Sequence, residues 1–308
     1  MISANYITQW AAEHPWRTSE QVEQDLMLSR ALVAIFSDDF LRDRLAFRGG
    51  TALHKLYFSP QVRYSEDIDL VQIAPAPFGE TFDRLKEVLS FLPNMKRVQK
   101  AFNNSLRFKA ESTVPPIVPI KIKVETNCKE HFTVLGHVEI PFSVSNGWFS
   151  GSCNIKTFRI EELLGTKFRA LYQRKKGRDL FDVHYALSHA NIDTAAVMKC
   201  FSEYIRFSAG YVPTMNLFEE NMAMKLSMPE FLEDTNNYLR KGITFNALSS
   251  WPMVRDRLYL TPKPPRHSLR SACSLPYGSR TPARGGYASL LVFTSPMTSP
   301  LALLYHSN

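Results

Sequence analysis

The chain has 308 residues, 44% hydrophobic and 12% aromatic, which is enough for one large core or two modest ones and unlike a disordered or fibrous composition. No run of eighteen apolar residues occurs, and residues 1–13 lack a basic-then-apolar leader, so the expectation is a soluble cytoplasmic protein with no membrane association. The formal charge of +8 invites a nucleic-acid partner, but five of those charges (Lys263, Arg266, Arg270, Arg280, Arg284) fall in the acid-free stretch 262–308, so charge alone is weak support for RNA.

The cysteines, Cys128, Cys153, Cys200 and Cys273, form no CxxC pair and have no histidine at zinc-ligand spacing; they read as free thiols in a reducing compartment. Between residues 19 and 45, Val22, Leu26, Val33, Phe36 and Phe40 recur at three-, four- and seven-residue steps, predicting one or two amphipathic helices with Ser19 as N-cap. Arg48-Gly49-Gly50-Thr51 breaks that pattern. A short helix is expected over 52–58, its first turn opening at the glycines, followed by a strand over 67–73.

Residues 78–91 read as helical, and 120–127 alternate apolar Ile120, Ile122 and Val124 with polar neighbours, as a half-buried strand does. Another strand is expected over 136–144, with a turn at Asn146-Gly147 ahead of the basic and aromatic stretch 153–158. Helices are expected over 161–173, 179–189, 193–204 and 229–241, and the Pro-, Ser- and Arg-rich residues 262–308 read as disordered or as a frame-shifted extension.

Alternate residues of a strand share a face, so Asp67 and Asp69 project together, and two repelling carboxylates are stabilised by a divalent cation. Such hard oxygen ligands suit Mg²⁺ or Mn²⁺ bridging triphosphate oxygens. A glycine pair lets backbone approach phosphate closely, with the amides of Gly50 and Thr51 and the Thr51 hydroxyl as donors. Either motif alone arises often by chance; together, as glycine turn, short helix and DxD strand, they match the start of the polymerase-beta-like nucleotidyltransferase pattern. Glu125, on the polar face of its strand, is the candidate third carboxylate, as metal ligand or base; the competing reading is a solvated face paired with Lys121 or Lys123. Asp179 and Asp182 fall on one helix face near Lys167, Arg174 and Arg178, cations able to neutralise phosphate or simply to pair with those acids. His54, His131, His137, His184 and His189 show no metal-ligand spacing and are assigned no catalytic role.

Phe47-Arg48-Gly49-Gly50-Thr51-Ala52-Leu53, Arg63-Tyr64-Ser65-Glu66-Asp67-Ile68-Asp69-Leu70, Lys167 and Arg178-Asp179-Leu180-Phe181-Asp182 together resemble the AbiEii/AbiGii toxin family of nucleotidyltransferases. That family is the toxin half of certain bacterial toxin and antitoxin, abortive-infection or phage-defence pairs. The resemblance implies that Gly49, Gly50, Thr51 and Ser65 bind the nucleotide, Asp67 and Asp69 bind metal, Lys167 contacts the triphosphate and Asp179 assists the reacting group. It further implies an RNA acceptor, with the transfer RNA 3′ end as one target class, and a cognate antitoxin as partner.

The expected fold is α+β, a polymerase-beta-like nucleotidyltransferase mixed-sheet core over residues 1–158 followed by a mainly helical domain over 159–261 that completes the active site. The expected activity is transfer of a nucleotide from an NTP with release of pyrophosphate. A protein or small-molecule acceptor, and a non-catalytic protein that binds an antitoxin or nucleic acid, are the alternatives.

Overall fold

The computed structural model of the chain describes residues 2–260, so the expectations for residues 262–308 and for Cys273 lie outside the described residues. Seven strands, β1 (Leu45–Arg48), β2 (Asp67–Gln72), β3 (Lys96–Gln99), β4 (Asn103–Glu111), β5 (Pro119–Asn127), β6 (His137–Ser145) and β7 (Ser150–Phe158), form one sheet in the order β3-β4-β5-β2-β1-β7-β6. β2 runs parallel to β5 and antiparallel to β1, and β1 runs parallel to β7, so the sheet is mixed and the architecture α+β. Parallel pairing demands a crossover; residues 73–118 supply it with α5 (Gly79–Val88) and the antiparallel β3–β4 pair.

Helices α1 (Ala4–Glu13), α2 (Ser19–Phe36), α3 (Asp39–Arg44) and α4 (Gly49–Tyr57) surround the first strands. α2 is buried on nearly every side and packs against β5, β6 and β7 as a core helix. Its fully buried Asp25 accepts from Trp10 Nε1 at 2.9 Å and from Lys55 Nζ at 2.7 Å, tying α1 and α4 to it. After β7 come α6 (Ile160–Gln173), α7 (Gly177–His189), α8 (Thr194–Ala209), α9 (Met215–Leu226), α10 (Pro229–Glu233), α11 (Ala247–Arg255) and a π-helical turn, Asp256–Leu260. α6 packs against α4, α7 and α8, which brings its side chains to the sheet.

Several boundaries differ from expectation for identifiable reasons. Thr18, in extended backbone, takes the N-cap position of α2, and Ser19 is already helical. The helix expected over 229–241 stops at Glu233 because the following residues pair with another segment: Arg63 bridges Leu239, Tyr64 N–H donates to Tyr238 O at 2.7 Å, and Arg240 N–H donates to Val62 O at 2.9 Å. β4 was not foreseen, since its alternation of Leu106, Phe108 and Ala110 follows the polar run Asn103–Ser105.

α6 and α8 touch through Gly165. A Cβ there would lie 2.6 Å from Cys200 Cβ, 2.8 Å from Phe201 N and 2.9 Å from Val197 O, too close for any side chain without separating the helices. Gly165→Ala is therefore expected to cost about 1–3 kcal/mol by overpacking. In a thermal melt this reads as a fall of roughly 2–4 °C per kcal/mol; an unchanged midpoint would mean that the helices reseat freely.

Candidate active site

The sharp turn from β1 into α4 sets the geometry. Gly49 sits at φ +82°, a conformation costly for residues with a Cβ, and a Cβ there would lie 2.4 Å from Asp69 Oδ2. At Gly50 a Cβ would lie 2.3 Å from Arg63 Nη2 and 3.2 Å from Lys167 Nζ. The two glycines thus make room for side chains of this chain as well as exposing the first amides of α4. Thr51 is buried, its hydroxyl 2.6 Å from Ser65 Oγ and 2.5 Å from the Asp67 carbonyl, so that hydroxyl is spent on holding the entry to β2.

Strand register arranges the acids. Arg48 pairs with Asp69, and Asp69 with Glu125, so these three side chains form a row across β1, β2 and β5; two residues earlier, Asp67 pairs with Lys123. Lys123 Nζ lies 3.2 Å from Asp67 Oδ2 and 3.0 Å from Glu125 Oε2. Burial pushes the Asp67 pKa up to about 6; Lys123 opposes this and Asp69 adds to it. Among the described residues no group of three or more His, Cys, Asp or Glu side chains is gathered to hold a metal ion. Glu125 is thus engaged by the Lys123 ammonium and is not assembled with Asp67 and Asp69 into the three-carboxylate set expected.

Facing this row is a buried ionic network. Asp182, with no exposed surface, accepts from Arg63 Nε at 2.8 Å and Nη2 at 3.0 Å, from His54 Nε2 at 2.8 Å, and lies 2.9 Å from Lys167 Nζ. Burial lowers the His54 pKa to about 4, so the imidazole is neutral and donates from Nε2. Asp179, also fully buried, accepts from Lys167 Nζ at 3.1 Å and from Arg174 Nε and Nη2 at 2.6 and 2.8 Å. Burial alone would raise both carboxyl pKa values, but the surrounding cations hold them below the usual range.

Arg178, expected among these cations, points elsewhere: it lies over the Tyr238 ring and its backbone N–H donates to Asp234 Oδ2 at 3.0 Å. Arg63, from the loop before β2, fills that part. A further carboxylate missed in the sequence, Glu130, follows β5 and pairs with both Arg48 and Arg169. It stands three residues after the end of β5, directly after Cys128-Lys129, and no local pattern marks it.

Between the acidic row and the cations lies a cleft of about 190 Å³, lined by Arg48, Gly49, Asp69, Glu125, Lys167 and Arg174 among others. A larger cavity, about 800 Å³, lies elsewhere, around Arg30, Phe91 and Trp148, and includes none of these residues. A small polar cleft walled by carboxylates on one side and cations on the other can take a polyphosphate together with a divalent cation.

The family described as "Nucleotidyl transferase AbiEii toxin, Type IV TA system" matches residues 30–252. No curated protein matches the chain. Among solved structures, MenT4, a nucleotidyltransferase toxin from Mycobacterium tuberculosis H37Rv, is similar with a TM-score of 0.55 at 15% identity, covering 84% of this chain and 89% of that one. A putative nucleotidyltransferase from H. pylori has a TM-score of 0.48 at 16% identity, covering 78% of this chain and 97% of that one. At such identity the MenT4 likeness speaks for the fold alone.

Asp67 offers a pH test. Its pKa of about 6 in the fold lies above the ordinary 3.8, so the fold favours the protonated form. Stability from that preference is complete below about pH 4 and is lost as pH rises through about 6. Without divalent cation, Asp67→Asn is expected to melt above the native protein at pH 7–8 and to converge with it near pH 4. Parallel melting curves across that window would show that Asp67 is not under this strain.

Proposed function

The chain belongs to the AbiEii nucleotidyltransferase toxin family of type IV toxin–antitoxin systems, and on that premise we propose that it transfers a nucleotide from an NTP to an RNA acceptor. The observation that carries the reading is the opposition, across one small cleft, of Asp69 on β2 and Lys167 on α6, with Gly49 packed against the first and Gly50 against the second; Asp67 shares the strand face of Asp69.

Asp67 and Asp69 fit a divalent cation, Mg²⁺ or Mn²⁺: their oxygens are hard donors on one strand face, and the Asp67 carboxyl, raised chiefly by burial and further by Asp69, would be drawn back to its charged form by an added cation. When bound, such an ion supplies charge neutralisation at the triphosphate and stabilises the attacking and leaving oxygens. Glu125 would join these ligands if Lys123 released it. The amides of Gly50 and Thr51 at the start of α4 donate to phosphate, and Ser65 holds Thr51 in place. Lys167 contacts the triphosphate and offsets negative charge as a hydroxyl oxygen attacks the α-phosphorus and pyrophosphate leaves. Asp179, expected to assist the reacting group, has no exposed surface and all its oxygens engaged; we assign it the positioning of Lys167 and Arg174.

The acceptor reading, including the transfer RNA 3′ end, rests on the family and not on a basic surface. Of Arg169, Arg174, Lys175, Lys176 and Arg178, all but Lys175 are ion-paired among the described residues. A cognate antitoxin partner likewise rests on the family. No helix among the described residues is long and apolar enough to cross a membrane.

Asp67→Ala and Asp69→Ala are each expected to abolish transfer while leaving the fold intact, because a ligand is lost without opening the core. Label transfer from each α-labelled nucleotide into total RNA, at low and moderate salt, is the measurement, with Asp67→Ala as control. Label in protein or small molecules with none in RNA would overturn the acceptor, and turnover by a folded Asp67→Ala protein would overturn the site. Lys167→Ala is expected to lower transfer at least about a hundredfold. It should also lower the melting midpoint, because it removes one partner of two buried carboxylates; rates are therefore compared well below that midpoint.

A further inference from the structure

We infer that Arg48 and Arg169, locked together on Glu130, form a second polyphosphate clamp in the cleft, separate from Lys167, through which the site selects a triphosphate over a monophosphate. The inference rests on the nucleotidyltransferase reading above and deepens it.

Arg48 ends β1, immediately before the glycine turn, and its register partner is Asp69, so its side chain shares the face of the DxD acids. Arg169 comes from α6, and both arginines line the same cleft as Lys167 and Asp69. Glu130 holds them with one oxygen each: Oε2 accepts from Arg48 Nη1, and Oε1 from Arg169 Nη1. Glu130 is itself fixed where its backbone N–H donates to Asn127 Oδ1 at 2.9 Å, at the end of β5. The Arg169 guanidinium also lies 5.4 Å from the Tyr204 ring centroid. Burial would raise the Glu130 pKa, but the two guanidinium groups win and hold it at about 2, so it stays ionised through the physiological range.

Charge decides between a clamp and a staple. One arginine would neutralise Glu130; the second leaves a positive charge that, among the described residues, only Asp69, the register partner of Arg48, offsets, on side chains just 16% and 10% exposed. Such a charge is costly to desolvate, and a purely structural staple gains nothing from it. The neighbouring network pairs three cations, Arg63, Lys167 and Arg174, with two buried acids, Asp179 and Asp182, while His54 is neutral, and Asp69 is the further carboxylate that acts on both Arg48 and Arg174. Arg169 Nε, moreover, is buried without an acceptor among the described residues. An anion with several negative oxygens satisfies both excesses at once, and planar guanidinium forks suit phosphate oxygens. A triphosphate carries three linked phosphoryl groups with which to span Lys167 and the arginine pair, whereas a monophosphate carries one.

The test titrates the full chain calorimetrically with inorganic tripolyphosphate and, separately, with a nucleoside monophosphate. Arg169→Gln is expected to weaken tripolyphosphate binding at least about tenfold, the scale of one lost charge-assisted contact, and monophosphate binding much less. Arg169→Lys, which keeps the charge but not the fork, is expected to recover part of the loss. In transfer assays the KM for the triphosphate should rise by the same factor while kcat falls less. Arg48→Gln repeats the test from the other side if Arg169→Gln fails to fold. Unchanged tripolyphosphate affinity in either folded variant overturns the clamp, as does an equal loss for the monophosphate. A native protein that binds tripolyphosphate but transfers no nucleotide to any acceptor would instead count against the transferase reading and leave the clamp to the titration.

Discussion

Asp182 is a full negative charge with no exposed surface, and the active-site side of the molecule is arranged to keep it ionised. Taking a carboxylate out of water costs several kcal/mol, which only good geometry with multiple donors offsets. Here the donors come from three separate places: Arg63 from the loop before β2, His54 from α4 and Lys167 from α6. Asp182 itself is on α7, so one side chain fixes the register of four segments. Gly50 is a direct consequence. It sits where Arg63 and Lys167 converge, and a side chain there would drive both cations off the acid.

The same constraint gives the cleft its polarity. Because Lys167 is held between Asp179 and Asp182, its ammonium has a fixed place, and the cleft wall it belongs to carries more positive than negative charge. Opposite, β2 and β5 bring Asp67, Asp69 and Glu125 to one face, with Lys123 drawn between Asp67 and Glu125 and Arg48 beside Asp69. A site divided in this way does not need to move charge during a reaction; it receives a polyphosphate on one wall and a cation on the other. His54 shows how closely the division is kept: burial opposes the charge of Asp182 and is overcome there by Arg63 and Lys167, but at His54 it wins and keeps the imidazole neutral, so the ring adds a hydrogen bond without adding positive charge.

Much of the frame was legible in sequence. β2, β5 and β6 were placed within a residue or so, because half-buried strands alternate. α6 and α7 were legible through helical spacing and α4 through its glycine turn. β1 was not, since four residues are too few to show a period, and the end of the helix expected over 229–241 depended on a pairing with Arg63 more than 170 residues earlier. Ser65, Thr51 and Asp179 were picked out by position in a motif. Their environments, a hydroxyl relay and a fully buried carboxylate, give them supporting parts that a motif does not reveal.

Sequence by itself determined what local rules govern: that Asp67 and Asp69 share a face, that Asp179 and Asp182 share another, and that a glycine pair ends one element and opens the next. The tertiary structure alone decided which charge meets which. Arg63 and not Arg178 took Asp182, across 119 residues; Lys123 and not Lys121 took Glu125; and Glu130 joined Arg48 and Arg169 from 82 and 39 residues away. The reason is physical. Backbone periodicity acts between neighbours in the chain, whereas ion pairing depends on distance in space, and a chain with 37 lysines and arginines offers every acid many equivalent partners until packing removes all but a few.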